Sequence, residues 1–152
     1  VFKNYPLAQH PNARVAAEIG QGVLATRGAE AFWRYHDLAF GRQDVMDRAM
    51  LLSSAESAGA DAREIEAGLD KKRWAAKVDR DRDLGDKLGI LGTPSMFVNG
   101  LAIERLDAET FEQAVDEQIE KGKSLAGRGV PRDRVYARLA AANYVERPAE
   151  PE

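Results

Sequence analysis

The sequence predicts an α/β fold dominated by helices, and three observations carry that prediction. Apolar residues recur at helical spacing through most of residues 11–88. Over residues 95–103 the spacing changes to a period of two, on either side of the dipeptide Asn99-Gly100. Residues 1–7 hold three β-forming residues, followed by a proline at position 6, which is typical of a short strand with a defined end. The predicted order is therefore a strand, a block of helices, a hairpin and further helices.

The composition is that of a folded domain with no large excess of either charge. The 152 residues include 22 Lys and Arg and 25 Asp and Glu, which gives a net charge of −3, and 44% of the chain is hydrophobic. A chain of this length buries enough surface to fold without a metal or disulfides. There is no basic stripe for phosphates, and no apolar run reaches the ~20 residues of a membrane helix. We therefore expect no nucleic-acid partner, no membrane insertion and no cofactor.

The chain contains no cysteine, which excludes disulfides, thiolate metal sites and a cysteine nucleophile within it. Its two histidines, His10 and His36, show no spacing typical of zinc ligands. We interpret His36 as a packed or capping residue and His10 as the residue that introduces the first helix. The sequence thus predicts no catalytic residue and no metal site.

Five helices are predicted between residues 11 and 88. Gly28 and Gly59 are placed to end the first and the third, since glycine readily adopts the left-handed conformation of a helix C-terminus. Asp61, with Glu64 in the following turn, predicts a capped start for the fourth. The predicted helices cover residues 11–28, 30–40, 46–58, 61–69 and 74–88.

Two groups of side chains in this block have a structural interpretation. The aromatic residues Phe32, Trp33 and Phe40 are assigned to the core, because aromatic side chains dominate protein cores. The charged run from Lys77 to Asp86 is assigned to a solvated helix face. The narrow buried stripe of that helix is expected to consist of Ala75, Val78, Leu84 and Leu88.

The C-terminal part is predicted to be a hairpin followed by two helices. The Asn99-Gly100 dipeptide favours a type I′ turn between the two strands. Asp107 caps a helix over residues 107–121, residues 122–129 form a flexible break, and a last helix covers residues 131–143. The Pro- and Glu-rich residues 144–152 are expected to be a linker or disordered tail that follows an incomplete domain of residues 1–143.

The loop before the hairpin carries a family resemblance. The run Gly89-Ile90-Leu91-Gly92-Thr93-Pro94-Ser95-Met96-Phe97-Val98-Asn99-Gly100 resembles the cis-proline segment of DsbA-like thiol:disulfide oxidoreductases, which have a thioredoxin fold. Two further segments, Val1 to Leu7 with His10 and Ala31 to Phe40, are similar to that family's strand after the active-site helix and to its helical insert. The resemblance extends over about residues 1–121. It implies a thioredoxin-like core with a helical insertion at residues 11–88 and a cis-proline loop and hairpin at residues 89–103.

The family's N-terminal strand and Cys-x-x-Cys helix have no counterpart in this chain, so it resembles an N-terminally truncated domain. Thiol–disulfide exchange needs a thiolate, which no other side chain replaces. The resemblance implies a cis bond between Thr93 and Pro94 and assigns substrate binding to these two residues. It also implies a gap in the sheet beside residues 1–7. We expect direct pairing of the remaining strands, strand exchange with a second copy, or an upstream segment to fill that gap.

Three functions are compatible with these observations. The first is a part of a protein-disulfide oxidoreductase that acts on extended or unfolded polypeptides in the bacterial periplasm or cell envelope and is inactive alone. The second is a non-catalytic thioredoxin-like module that binds extended peptides by adding them to a sheet edge. The third and weakest is a glutathione-transferase-like enzyme. A homodimer formed through strand exchange is a further expected partnership.

Overall fold

The elements of the fold are seven α-helices, a short 3-10 helix and one hairpin within residues 1–144, which are the residues that the computed structural model describes. Most of the predicted tail, residues 145–152, lies outside them. The elements are α1 (Ala13–Arg27), α2 (Ala29–Phe40), the 3-10 helix (Gln43–Val45), α3 (Arg48–Ser57), α4 (Ala62–Asp70), α5 (Ala75–Lys87), β1 (Phe97–Val98), β2 (Leu101–Ala102), α6 (Ala108–Gly127) and α7 (Arg132–Asn143).

The chain divides into two compact units, Val1–Asp86 and a second that begins at Lys87. In the first unit, α1 is the central helix and packs against α2, α3 and α4. The helical spacing of apolar residues thus produces one shared core around α1. The largest fully buried apolar side chains of this unit are Ile19, Val23, Leu51, Ile65 and Val78.

Two glycines in this unit make room for a tryptophan. A Cβ atom on Gly22 would lie 2.8 Å from Cη2 of Trp74, and one on Gly68 would overlap the same ring. Trp74 is 7% exposed and belongs to the core cluster. Glycine lowers helix propensity, but here the cost is offset by burial of a large aromatic side chain.

The predicted helix ends agree with the structure where local chemistry sets them. Asp61 accepts hydrogen bonds from the backbone N–H groups of Arg63 (2.9 Å) and Glu64 (3.2 Å). Gly28 and Gly59 have φ values of 83° and 97°, in the left-handed region that glycine favours. The third helix begins at Arg48 rather than near Met46, because Asp47 caps it through the N–H group of Met50.

The prediction of a strand at residues 1–7 is wrong, because these residues are irregular in the structure and pair with no strand among residues 1–144. Direct pairing with the hairpin is therefore not how the predicted gap is closed. The backbone N–H of Asn4 instead donates to a carboxylate oxygen of Asp81 at 3.2 Å. A strand needs a neighbouring strand to satisfy its backbone groups, and here a side chain provides one of those partners.

The prediction that Trp33 and Phe40 belong to the core is also wrong, because they are 47% and 56% exposed. Phe32, the third member of that group, is buried as predicted. The helix α2 turns only one face to α1 and α3, and Trp33 and Phe40 lie outside it.

The interpretation of α5 needs a similar correction. Leu84, assigned to its buried stripe, is 41% exposed, whereas Asp81, assigned to a solvated face, is only 3% exposed. Residues 1–7 pack on this helix and cover the position of Asp81.

In the second unit, α6 packs against α7 and the hairpin strand β1. The predicted break at residues 122–129 begins later in the structure, since α6 continues to Gly127 and α7 begins at Arg132. Gly122 faces α7, where a Cβ atom would meet Val135 at 3.5 Å and Leu139 at 3.8 Å. Packing against a second helix thus maintains the helix through a residue of low intrinsic propensity.

Candidate functional site

The candidate site is the loop that leads into β1. The peptide bond between Thr93 and Pro94 is cis. Both residues are exposed, and Thr93 makes no hydrogen bond with any group of residues 1–144. The backbone of Thr93 is therefore presented to solvent with its donor and acceptor available.

A short network holds the loop and the hairpin in shape. The hydroxyl of Ser95 donates to the carbonyl oxygen of Gly92 at 2.7 Å, which bridges the cis-proline turn. Asn99 and Gly100 have φ values of 49° and 83°, so the turn has the type I′ geometry that the sequence predicts. The N–H of Ile103 donates to the carbonyl oxygen of Met96 at 2.9 Å and extends the ladder beyond the two strands.

The hairpin leaves one side of β1 unpaired within the described residues. Residues of an antiparallel strand point their backbone groups alternately towards and away from the partner strand. The backbone N–H and C=O groups of Met96 and Val98 face β2. Those of Phe97, which lies between them and opposite Ala102, therefore point away from β2. The edge of β1 therefore continues the line of available backbone groups that begins at Thr93.

The turn of the hairpin is fixed to α7. Gly100 approaches Ala140 so closely that a Cβ atom on Gly100 would lie 3.0 Å from the backbone of that residue. The side-chain amide of Asn143 donates to the carbonyl oxygen of Asn99 (3.0 Å) and to the side-chain oxygen of Gln118 (2.9 Å). Gln118 is 1% exposed, so this network is anchored in the interior of the second unit. The edge of β1 is thus held by helices.

The loop and the hairpin are largely apolar and carry no charged side chain. The sequence contains no ionisable side chain from Leu88 to Ile103. Leu91, Met96 and Phe97 are 79%, 46% and 37% exposed. The first carboxylate beyond the hairpin with a shifted pKa is Asp107, whose pKa is lowered by a hydrogen bond from the backbone N–H of Thr110 at the start of α6. This surface is suited to backbone pairing and apolar contacts rather than to proton transfer.

The two histidines have the structural roles that the sequence predicts. The ring of His36 stacks on Phe40 with the centroids 4.4 Å apart, and its Nδ1 atom lies 3.0 Å from a carboxylate oxygen of Asp37. His10 is exposed, and its carbonyl oxygen accepts a hydrogen bond from the N–H of Ala13 at the start of α1. Residues 1–144 bring together no group of three or more metal-ligating side chains.

Sequence reasoning missed Asp81, the most buried carboxylate described in the structure. Burial raises its pKa, but hydrogen bonds from the Asn4 backbone, Lys77, the Asn4 side chain and Lys3 outweigh this effect and hold the pKa below its usual value. The sequence offers only a weak signal, a carboxylate one helical turn after Lys77.

No described helix is long and apolar enough to cross a membrane.

The chain is similar to two groups of curated proteins. It is 38% identical over 101 residues to the Na(+)/H(+) antiporter NhaA 3 of Salinispora tropica, a match that covers 66% of this chain and 15% of that protein. It is 28% identical over 101 residues to disulfide bond formation protein D of Bacillus subtilis, with 62% of this chain and 45% of that protein covered. The probable disulfide bond formation protein D of Bacillus cereus is 24% identical over 127 residues, which cover 79% of this chain and 57% of that protein.

The chain therefore spans a small part of the antiporter and about half of the disulfide bond formation proteins. No solved structure gives a significant match. A family model described as the DSBA-like thioredoxin domain matches residues 6–104, which include α1 to α5, the cis-proline loop and the hairpin. The chain is a member of the DSBA-like thioredoxin domain family, with a helix-dominated α/β fold.

Proposed function

We propose that this chain is the polypeptide-binding part of a protein-disulfide oxidoreductase. In this proposal the backbone of Thr93, the ring of Pro94 and the edge of β1 bind an extended or unfolded polypeptide. The observation that carries it is the set of exposed backbone groups on Thr93 and on the outer side of Phe97, which pair with no group of residues 1–144. Membership of a family that includes disulfide bond formation proteins supports the class of substrate.

The physical basis is the addition of a strand to a sheet edge. An extended polypeptide pairs its main-chain groups with the free N–H and C=O groups of the edge, whatever its sequence. Apolar side chains of that polypeptide then contact Leu91, Met96 and Phe97. Because the loop carries no charge, binding selects for unfolded, apolar segments rather than for a charge pattern.

The redox step needs sulfur that this chain does not contain. In disulfide exchange a thiolate attacks one sulfur of the substrate disulfide and the other sulfur leaves as a thiolate. A second thiolate then displaces the substrate from the mixed disulfide, so two cysteines outside this chain are required. In this proposal they lie in an oxidising compartment, the periplasm or cell envelope.

The test is binding of a permanently unfolded polypeptide, reduced and carboxymethylated lysozyme, measured by fluorescence anisotropy. Phe97→Pro removes an N–H group that points away from β2, so the hairpin ladder stays intact. Ala102→Pro is the matched control, because it removes the corresponding outward N–H group on the opposite edge. We expect Phe97→Pro to weaken binding by about tenfold and Ala102→Pro to leave it unchanged. Equal affinities for the two variants would refute the proposal.

The second candidate is a peptide-binding module with no redox role, which the absence of cysteine favours. The two candidates differ in whether the same protein also carries a redox-active cysteine pair. The sequence of the parent gene distinguishes them. A Cys-x-x-Cys motif encoded within about 50 residues upstream of Val1 supports the oxidoreductase, and its absence supports the binding module. The match to the DSBA-like thioredoxin domain gives no support to a glutathione-transferase-like enzyme.

The same edge suits a second copy of this chain, and a homodimer paired through β1 is the alternative occupant. Light scattering of the purified chain distinguishes the two. A dimer that Phe97→Pro converts to a monomer would assign the edge to self-association. If the original chain and the Phe97→Pro variant are both monomers, the edge is available to the polypeptide.

The antiporter match covers 15% of that protein's length, so its transport activity is not proposed for this chain.

A further inference from the structure

Met96, the residue before β1, is the most exposed methionine of the chain. The sequence holds three methionines, Met46, Met50 and Met96, and no cysteine. Met96 is 46% exposed, whereas Met46 and Met50 are partly buried and pack against the core cluster of the first unit. The sulfur of this chain is therefore all thioether, and Met96 is the methionine most accessible to a reagent in solution.

The other two methionines are held by structural contacts. The sulfur of Met50 accepts a hydrogen bond from the hydroxyl of Ser54 at 3.3 Å, one turn further along α3. The carbonyl oxygen of Met46 accepts from the side-chain amide of Asn12 at 2.7 Å, which fixes this residue ahead of α3. A small oxidant reaches their sulfur atoms readily only when the surrounding helices open, so their oxidation is slowed by the stability of the first unit.

The backbone of Met96 is fixed, although its side chain is exposed. Its carbonyl oxygen accepts from the N–H of Ile103 at 2.9 Å, so the residue belongs to the hairpin ladder. Side chains of successive residues in a strand point to opposite faces, which places those of Met96 and Phe97 on opposite faces of the hairpin. A chemical change in the Met96 side chain therefore alters one face of the hairpin and removes none of the hydrogen bonds of its ladder.

We propose that Met96 is an oxidation site that regulates polypeptide binding, an inference that rests on the proposed function of the β1 edge. The oxidant is a hydroperoxide such as hydrogen peroxide. The sulfur atom attacks one peroxide oxygen, and an S–O bond forms as the O–O bond breaks. The second oxygen takes the proton of the first and leaves as water. The sulfur loses two electrons and the peroxide gains two, and the product is methionine sulfoxide.

The sulfoxide changes the chemistry of the binding surface at one position. No side chain from Leu88 to Ile103 is ionisable, and Leu91 and Phe97 in the same loop and strand are exposed apolar groups. An apolar segment of a bound polypeptide would cover the sulfoxide oxygen without donating a hydrogen bond to it. Covering an unpaired polar group costs free energy, so binding weakens. Methionine sulfoxide reductases restore the thioether, so the change is reversible.

The test measures the order of oxidation first and polypeptide binding second. The chain is treated with dilute hydrogen peroxide, the peroxide is removed, and mass mapping of peptides locates the added oxygen atom. We expect Met96 to be oxidised about tenfold faster than Met46 and Met50. Anisotropy of reduced and carboxymethylated lysozyme is then measured with chain in which only Met96 is oxidised. Its affinity should fall by about five- to tenfold, and a methionine sulfoxide reductase with its thiol reductant should restore it.

Three variants separate the thioether of Met96 from other effects of peroxide. Met96→Leu keeps an apolar side chain that peroxide does not oxidise, so it should bind like the untreated chain before and after treatment. Met96→Gln introduces a permanent polar group and should bind as weakly as the oxidised chain. Met50→Leu is the matched control in the first unit, and it should still lose affinity when treated with peroxide.

The outcomes distinguish this inference from the proposed function. Equal rates of oxidation at the three methionines would overturn the inference, and so would an equal loss of affinity in peroxide-treated Met96→Leu. Binding that persists unchanged after Met96 is oxidised would refute the inference alone. Failure of the untreated chain to bind lysozyme would refute the proposed function and this inference with it.

Discussion

Gly68 and Gly22 determine where the ring of Trp74 can lie. The two glycines are on α4 and α1, and both face the same ring. Trp74 can therefore fill the space between these helices only because neither position carries a Cβ atom. Even a single methyl group added at either glycine would therefore occupy space that the Trp74 ring fills in the core.

We predict that Gly68→Ala lowers the free energy of unfolding by about 1–3 kcal/mol, because the added methyl group overlaps the Trp74 ring. The control is Gly122→Ala in α6, where the nearest contacts would be at 3.5 and 3.8 Å, an ordinary van der Waals separation. That variant should gain about 0.5–1 kcal/mol from the higher helix propensity of alanine. Urea unfolding followed by circular dichroism measures both. We expect the free energy of unfolding to fall in Gly68→Ala and to rise in Gly122→Ala. A rise in both variants would contradict the packing described for Trp74.

The Asp81 carboxylate makes stability depend on pH in a defined direction. Its pKa in the folded protein lies below the ordinary value of 3.8, since its hydrogen bonds together outweigh the effect of burial. The unfolded state therefore binds a proton more readily than the folded state does. The stabilisation is complete above the unfolded pKa and is lost as the pH falls through the lower, folded pKa.

We predict that the difference in unfolding free energy between the wild type and Asp81→Asn is largest at neutral pH and shrinks below about pH 4. Urea unfolding at several pH values between 7 and 3 measures it. A difference that stays constant over this range would mean that the pKa of Asp81 is the same in the folded and the unfolded protein.

The role of a residue can be predicted from the sequence when its hydrogen-bond partners lie close to it along the chain. Asp61 and Asp107 cap the helices that they precede, because the capped N–H groups follow within one turn. Asp81 could not be recognised in this way, since its partners Lys3 and Asn4 are more than seventy residues away along the chain. A buried carboxylate with distant donors has the same local sequence pattern as a solvated one.

Glycine is required at position 100 for two reasons, the local backbone conformation of the turn and a close tertiary contact. Its φ of 83° lies in the left-handed region, and its Cα faces the backbone of Ala140 on α7. The first requirement can be read from the Asn-Gly pair in the sequence. The second depends on how α7 packs, which the sequence does not show.

We predict that Gly100→Ala destabilises the second unit by at least about 1–2 kcal/mol, the cost of a left-handed conformation for an L-residue, with the contact to Ala140 adding to it. Asn99→Gly is the control, because its φ of 49° suits glycine and its carbonyl oxygen still accepts from Asn143. Hydrogen exchange at the N–H of Ile103, which reports the hairpin ladder, measures the effect. Equal protection of that amide in Gly100→Ala and in Asn99→Gly would show that the turn has no such requirement.

Among the elements, helices were predictable and the strand at residues 1–7 was not. Helical hydrogen bonds are made within the element, so spacing and caps define α1 to α5 closely. The N-terminal residues have β propensity, but their conformation depends on a neighbouring strand, and among residues 1–144 none pairs with them. The extension of α6 through Gly122 has the same explanation, because its contact with α7 overrides a low propensity.

At the scale of the whole molecule, the family could be predicted because its motifs are runs of neighbouring residues. The loop from Gly89 to Gly100 and the helix from Ala31 to Phe40 lie within the part of the chain that the family model matches. The distribution of exposed aromatic residues could not be predicted from the same runs. Trp33 and Phe40 belong to one of those motifs but lie on the surface of the first unit, since burial depends on what covers α2.

The chain as a whole contains no sulfur group that can exchange with a disulfide. The chain has no cysteine, and the sulfur atoms of its three methionines are thioethers, which form no mixed disulfide. We predict that the purified chain neither reduces insulin in the presence of glutathione nor oxidises a reduced peptide, at any rate above that of buffer alone. Turbidity for the first assay and free-thiol titration for the second measure this, with a Cys-x-x-Cys oxidoreductase as the positive control. Activity that persists after repurification, with the expected intact mass of the chain, would show that it catalyses exchange by a route other than a cysteine thiolate.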